Sequence, residues 1–242
     1  MTRTSTLART RDERGVVTIT VDDAPTRNAL STAVLAEFDQ CLAELAGDSS
    51  ARVLVLTGAG TVFSSGADRA ELGDPAAVAR STDLLSSVLA RIEDSTVPVV
   101  ARVNGAAFGA GLAVAAAADI SVAVSDAVFG LPEVRFGFVA GPAAATCVAR
   151  MGRTAALDLL LTGRRFDPAE ALRVGLVTSV ADRADLDAAV QAVVADLLAG
   201  DYAALAATRR LVRQLTPPAL ADRLTMARGL APSVASGPGA AL

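Results

Sequence analysis

From Gly105 to Ala118 the chain runs GAAFGAGLAVAAAA, fourteen residues without a charged side chain and nearly without bulk. A segment so poor in side-chain volume is stable only where neighbouring backbone comes close enough to fill the space. It is too short for a membrane span, which takes about 20 consecutive apolar residues, and Arg102, Asn104 and Asp119 bracket it. Small side chains also supply little hydrophobic transfer energy each. The segment therefore reads as tightly packed protein interior, and no membrane association is expected.

The flanking sequence says what it packs between. Residues 15–22 (GVVTITVD) alternate and are β-branched, predicting a strand. Leu30, Val34, Leu35, Phe38, Leu42 and Leu45 have helical spacing and end at Gly47, predicting a helix over 30–46. RVLVLTG (52–58) and PVVARVNG (98–105) are short apolar runs suited to buried strands, DISVAVSD (119–126) is another, and 75–94 reads as a helix. From Gly141 the pattern becomes helical, with segments near 142–150, 153–161, 168–174, 185–199, 201–215 and 217–230, interrupted by the apolar run GLVTSV at 175–180. Strands alternating with helices, then helices alone, predict an α/β core over 1–182 and a helical region over 183–231. The Pro/Gly/Ser-rich tail, 232–242, is expected to be disordered.

What is absent narrows the chemistry. The chain has no histidine, and all 22 of its basic side chains are arginine, which removes Ser-His, Cys-His and Ser-Lys nucleophiles and Schiff-base chemistry. Two distant cysteines, Cys41 and Cys147, do not make a zinc ligand set, so no metal is expected. With no apolar run behind the N-terminal arginines, they point instead to a reduced, cytoplasmic chain. A net charge of −4 and 3% aromatic residues offer neither a phosphate-tracking surface nor base-stacking platforms, so no nucleic-acid partner is expected. Catalysis, if present, must use carboxylates, hydroxyls, arginine or main-chain amides.

Two glycine-rich loops follow predicted strands, TGAGTVFSSGADRAEL (57–72) and NGAAFGAGLAVAAAAD (104–119). The first fails as a dinucleotide fingerprint because Phe63 stands where the third glycine would be, and a P-loop needs a lysine. Two readings remain open from the residues alone. The glycines could simply permit close packing, or the loops could aim one main-chain N–H each at a single oxygen.

Five segments in order bear on that choice: NAL (28–30), FSSGADRAEL (63–72), VNGAAFGAGLAVAAAADI (103–120), FGLPEVRFGFVAG (129–141) and LLTGRRFDPAEALRVGLV (160–177). Together they resemble the enoyl-CoA hydratase/isomerase family, the crotonase superfamily, over about residues 14–230. The resemblance implies an α/β fold of the crotonase type, a spiral of ββα units with a helical C-terminal oligomerisation region that builds homotrimers or hexamers. It implies acyl-CoA thioester substrates, coenzyme A being part of the substrate and no separate cofactor being needed. The thioester oxygen would be held by the amides of Ala67 and Ala110, the latter usually glycine. Coenzyme A would lie along Arg27, Asn28, Ala29, Ser65, Ala67 and Asp68, with Arg27 meeting a phosphate or else serving as a plain surface arginine.

The family's two glutamates fall on Glu133, which is present, and on Ala113, which carries no proton. With Glu133 alone as general acid/base, reversible hydration of a 2-enoyl-CoA ranks ahead of a 1,3-proton shift between enoyl isomers. A non-catalytic acyl-CoA-binding paralogue is the rival of another class. Glu133 could instead pair with Arg135, Asp68 is expected to cap the helix that follows it, and Glu71 or Asp74 are candidates for a substitute acid. The ending SVASGPGAAL lacks the aromatic and basic cover found in many relatives.

Overall fold

The computed structural model describes residues 6–215 and 219–234. In chain order the strands are β1 (Leu7–Arg11), β2 (Val16–Val21), β3 (Val53–Gly58), β4 (Val62–Ser64), β5 (Val99–Val103), β6 (Ala106–Phe108), β7 (Ile120–Val124), β8 (Phe129–Gly130), β9 (Arg165–Phe166) and β10 (Ser179–Ala181). The helices are α1 (Thr32–Ala46), α2 (Pro75–Glu93), α3 (Ala110–Ala117), α4 (Gly141–Thr162), α5 (Pro168–Arg173), α6 (Leu186–Ala199), α7 (Tyr202–Leu215) and α8 (Leu220–Val234).

The apolar runs of the first half assemble into a six-stranded sheet ordered β1-β2-β3-β5-β7-β10. Only β1 is antiparallel; the others pair in parallel, with Val16 opposite Val53, Leu54 opposite Val99 and Val100 opposite Ile120. Parallel strands of this kind are covered on both faces, which is why β5 and β7 read as continuous apolar runs: Val99, Val100, Ala101, Val103, Val122, Ala123 and Val124 are all fully buried. One cover is α6, whose Leu186, Val190 and Val194 form a single buried stripe packed against β3, β5 and β7. Each such side chain contributes about 1.5–3 kcal/mol on burial. The first helix of the 183–231 region thus packs directly on the core sheet.

The glycine-rich connections build a second sheet of four strands, β4-β6-β8-β9. Three units follow one plan, a long strand in the first sheet, a tight turn, a strand of two or three residues in the second, then a helix: β3-β4-α2, β5-β6-α3 and β7-β8-α4. This is the ββα spiral implied by the family resemblance. The turn between β3 and β4 is held from inside by two asparagines. Asn28 donates to the carbonyls of Ala59 (3.0 Å) and Val62 (2.7 Å). Asn104 donates to Gly60 O (2.9 Å) and accepts from Gly58 N (3.2 Å). Both side chains are buried, and leaving either amide unpaired would cost about 1–3 kcal/mol.

The remaining helices close over this frame. Helices α1 to α4 pack in succession, and α8 lies against α4 and α2. The predicted pair 142–150 and 153–161 is one run interrupted at Gly152 (φ 71, ψ 170). Helix α7 is tethered by Arg209, which pairs with Asp119 at 2.7 Å and donates to the carbonyl of Ser95. Helix α8 continues through Val234, past the expected start of the tail, and residues 235–242 lie outside the described residues. Among the described residues no single helix is long and apolar enough to cross a membrane.

Candidate active site

The second sheet positions the site. Strands β4, β6 and β8 are adjacent and parallel, with Ser64 opposite Ala107 and Phe108 opposite Gly130. Their carboxyl ends therefore open on one edge, the usual place for a ligand in a parallel sheet. β4 leads to Gly66 and Ala67, β6 to Gly109 and Ala110, and β8 through Leu131 and Pro132 to Glu133. Residues more than sixty positions apart in the chain thus share one rim.

The first two ends present main-chain donors. Ala110 is the first residue of α3, and the first N–H bonded back within the helix region is that of Ala113, to Gly109 O at 3.0 Å. The amides of Ala110, Gly111 and Leu112 thus point out of the helix end, where the aligned peptide dipoles favour negative charge. Leu30 bridges Ala67 in parallel, but through its neighbours: Leu30 N donates to Gly66 O at 2.8 Å, which leaves the Ala67 N–H turned away from Leu30. Gly66 brings the two donors together. It has φ +92°, and a Cβ there would sit 2.7 Å from Phe108 O and 3.7 Å from Ala110 N. No other residue type fits that approach without displacing the Phe108 carbonyl at the end of β6.

The third end presents the acid. Glu133 is half-buried and opens a four-residue 3-10 turn, Glu133–Phe136. Its carboxyl lies over Gly109, where a Cβ would meet Oε1 at 2.7 Å. Oε2 is buried and has no hydrogen-bond partner among the described residues. Arg135 does not neutralise it, because that guanidinium turns to Thr162 O (Nε to O, 3.0 Å). Burial without a cation pushes the Glu133 carboxyl up to about 7. Behind it, burial and the Glu133 charge push the Cys147 thiol up to about 12, so that sulfur stays protonated.

The other acids are occupied. Glu71 caps α1, accepting from Thr32 N (3.0 Å) and Thr32 Oγ1 (2.8 Å). Asp74 caps α2 through Ala76 N (2.9 Å). Asp68 accepts from Ala70 N within a turn (3.0 Å), not at a helix end, which corrects its expected role as a helix cap. Asp119 accepts from Val99 N (2.7 Å) as well as pairing with Arg209. Ala113 is fully buried inside α3, and its methyl group has no proton to give. No group of three or more metal-ligating side chains is found among the described residues.

The residues assigned to coenzyme A divide in two. Arg27 and Ala67 are both exposed, and Ser65 ties their two segments together, its N donating to Arg27 O (3.0 Å) and its Oγ to Thr26 O (2.9 Å). Asn28 and Ala29 are buried, and the Asn28 amide is spent on the β3–β4 turn, so these two hold the loop in shape. One contact at this rim escapes sequence reading. The guanidinium of Arg69, two residues after Ala67, lies 5.5 Å from the ring centroid of Phe136, three residues after Glu133. Both residues fall within recognisable segments, but a pair 67 positions apart has no signature in the sequence.

Comparison with known proteins bears on the family and the fold. The model of the enoyl-CoA hydratase/isomerase family matches residues 11–236. A "Probable enoyl-CoA hydratase" of Mycobacterium bovis is 37% identical over 185 residues, covering 72% of this chain and 65% of its own length, just under two thirds. A short-chain-enoyl-CoA hydratase of Clostridium acetobutylicum is 35% identical over 178 residues, covering 72% of this chain and 68% of its own. The crystal structure of an enoyl-CoA hydratase from Mycobacterium avium subsp. paratuberculosis superposes with a TM-score of 0.88 at 29% identity, over 98% of this chain and 97% of that one.

Proposed function

The chain belongs to the enoyl-CoA hydratase/isomerase family, and on that premise we propose that it hydrates a 2-enoyl-CoA reversibly with Glu133 as its single acid/base. The observation that carries this reading is the buried, unpartnered Oε2 of Glu133 beside the Ala110 helix end. An orphaned carboxylate oxygen is costly and is kept where a ligand or water completes it.

The thioester oxygen would accept from the Ala67 and Ala110 amides. Each such donor is worth roughly 3–4 kcal/mol in the transition state, because the oxygen gains charge only there. Glu133, as carboxylate, takes a proton from water while the water oxygen bonds to C3. The electron pair of the C2–C3 double bond moves onto the thioester as an enolate. Protonated Glu133 then returns the same proton to C2, giving the 3-hydroxyacyl thioester and regenerating the carboxylate. A carboxyl titrating near 7 suits both halves of this cycle at neutral pH.

A second reading draws on the alanine at 113. With no second carboxylate to handle water, the same glutamate can carry a proton between C2 and C4 and so shift the double bond. Spectrophotometric assays with crotonyl-CoA and with a 3-enoyl-CoA, on wild type and Glu133→Gln, separate the two. Turnover of crotonyl-CoA that disappears in Glu133→Gln supports hydration, and turnover of the 3-enoyl thioester alone replaces it with isomerisation. Tight thioester binding without turnover of either substrate contradicts both. The apolar residues left exposed on α7 and α8, Leu211, Val212, Leu215 and Met226, support assembly into a trimer or hexamer, which sedimentation analysis would test.

A further inference from the structure

We propose that Arg69, laid on the ring of Phe136, is a specificity-determining residue that selects acyl chains carrying a carboxylate. The inference rests on the site assignment above and extends it to the far end of the substrate. In a 3-10 helix the side chains at i and i+3 eclipse, so Glu133 and Phe136 project from the same side of their turn. Phe136 stays 55% exposed, a large apolar face left open beside the acid. Across the rim, Arg69 follows the amide donor Ala67 and places its guanidinium 5.5 Å from the Phe136 ring centroid. Ring and cation thus stand together beside the turn that carries the acid.

Arg69 forms no ion pair with any described residue, like Arg27 and Arg165 and unlike Arg164, which is paired with Asp158 and Glu170; Arg135 is held by Thr162 O. The aromatic face fixes its direction, since a guanidinium over a ring loses mobility while keeping its edge donors free. A free, oriented fork of N–H groups next to an exposed apolar ring matches one ligand chemistry, a short hydrocarbon chain ending in a carboxylate. A neutral alkyl chain would have to desolvate the same cation with nothing in return.

The test compares thioesters that differ only at the chain end. Binding of glutaryl-CoA and butyryl-CoA, which cannot react, is measured by calorimetry on wild type and Arg69→Ala. Hydration of glutaconyl-CoA and crotonyl-CoA is measured on the same proteins. Wild type should prefer the acidic chain, and Arg69→Ala should reduce that preference by about ten- to hundredfold in both comparisons, the worth of one charge-assisted hydrogen-bonded pair. An equal loss on both chains overturns the proposal, because it places Arg69 on a phosphate of coenzyme A. Absence of any preference in wild type, or a preference that survives Arg69→Ala, overturns it as well. If no thioester is hydrated while the binding preference still depends on Arg69, the hydratase reading fails and the specificity assignment stands.

Discussion

Replacing Glu133 by glutamine removes the charge that burial opposes and keeps the size of the side chain. In the folded protein this carboxyl titrates at about 7, against an ordinary value of 4.5. The folded chain therefore holds a proton over a range in which the unfolded chain has released it. Wild type bears no penalty below pH 4.5, loses stability as the pH rises through 7, and carries the whole penalty above it. Two and a half pH units at about 1.4 kcal/mol each come to about 3 kcal/mol. Glutamine does not titrate. The difference in unfolding free energy between Glu133→Gln and wild type should thus grow by about 3 kcal/mol in the variant's favour between about pH 4 and pH 9. Whatever constant the new amide adds through its own hydrogen bonds cancels from that slope, as do the shared carboxylates elsewhere. Urea unfolding followed by circular dichroism, at one fixed protein concentration for both proteins, measures it. A difference that stays flat across the range refutes the argument that burial without a cation sets the state of this acid.

Three further outcomes follow from the same geometry. The kcat/KM for hydration should rise with an apparent pKa near 7, not near 4.5, in a pH profile that Glu133→Gln abolishes. Gly109→Ala puts a methyl 2.7 Å from Glu133 Oε1 at φ +49°. It should cut kcat on the order of a hundredfold by displacing the acid, while circular dichroism shows a folded chain; an unchanged kcat would mean the working carboxylate is not over that glycine. Ala113→Glu, at a fully buried position, should lose roughly 1–3 kcal/mol or more through overpacking and gain no hydratase activity, so a stable and faster variant would contradict the packing described for α3.

The legible parts of the fold were those with a period long enough to read. Strands β2, β3, β5 and β7 and helices α1, α2 and α6 each bury several side chains at a regular spacing, and each lies within a residue or two of its predicted position. β1 was not legible because only Leu7 of its five residues is buried. The entire second sheet was not legible either. Its strands have two or three residues, too few to show alternation, and they lie in segments that glycine marks as loops. Yet that sheet brings Ala67, Ala110 and Glu133 to one edge. Sequence reading named these three by resemblance and could not say why they meet. It also offered Glu71 and Asp74 as spare acids and Asp68 as a helix cap; their actual occupation as caps and a turn acceptor depends on backbone N–H groups whose direction only the fold determines. Asn28 and Asn104 carry the same lesson, as buried clamps inside segments that read as ligand loops.

The central claim is that two amides and one carboxylate, each at the end of a parallel strand, converge on one thioester. A crystal structure with acetoacetyl-CoA, whose enolised thioester resembles the charged intermediate, tests it most directly. The account predicts the thioester oxygen about 2.7–3.1 Å from both Ala67 N and Ala110 N, with a Glu133 carboxylate oxygen in contact with C2 or C3. An oxygen bound to neither amide, or a Glu133 carboxyl turned away from the acyl carbons, would contradict it.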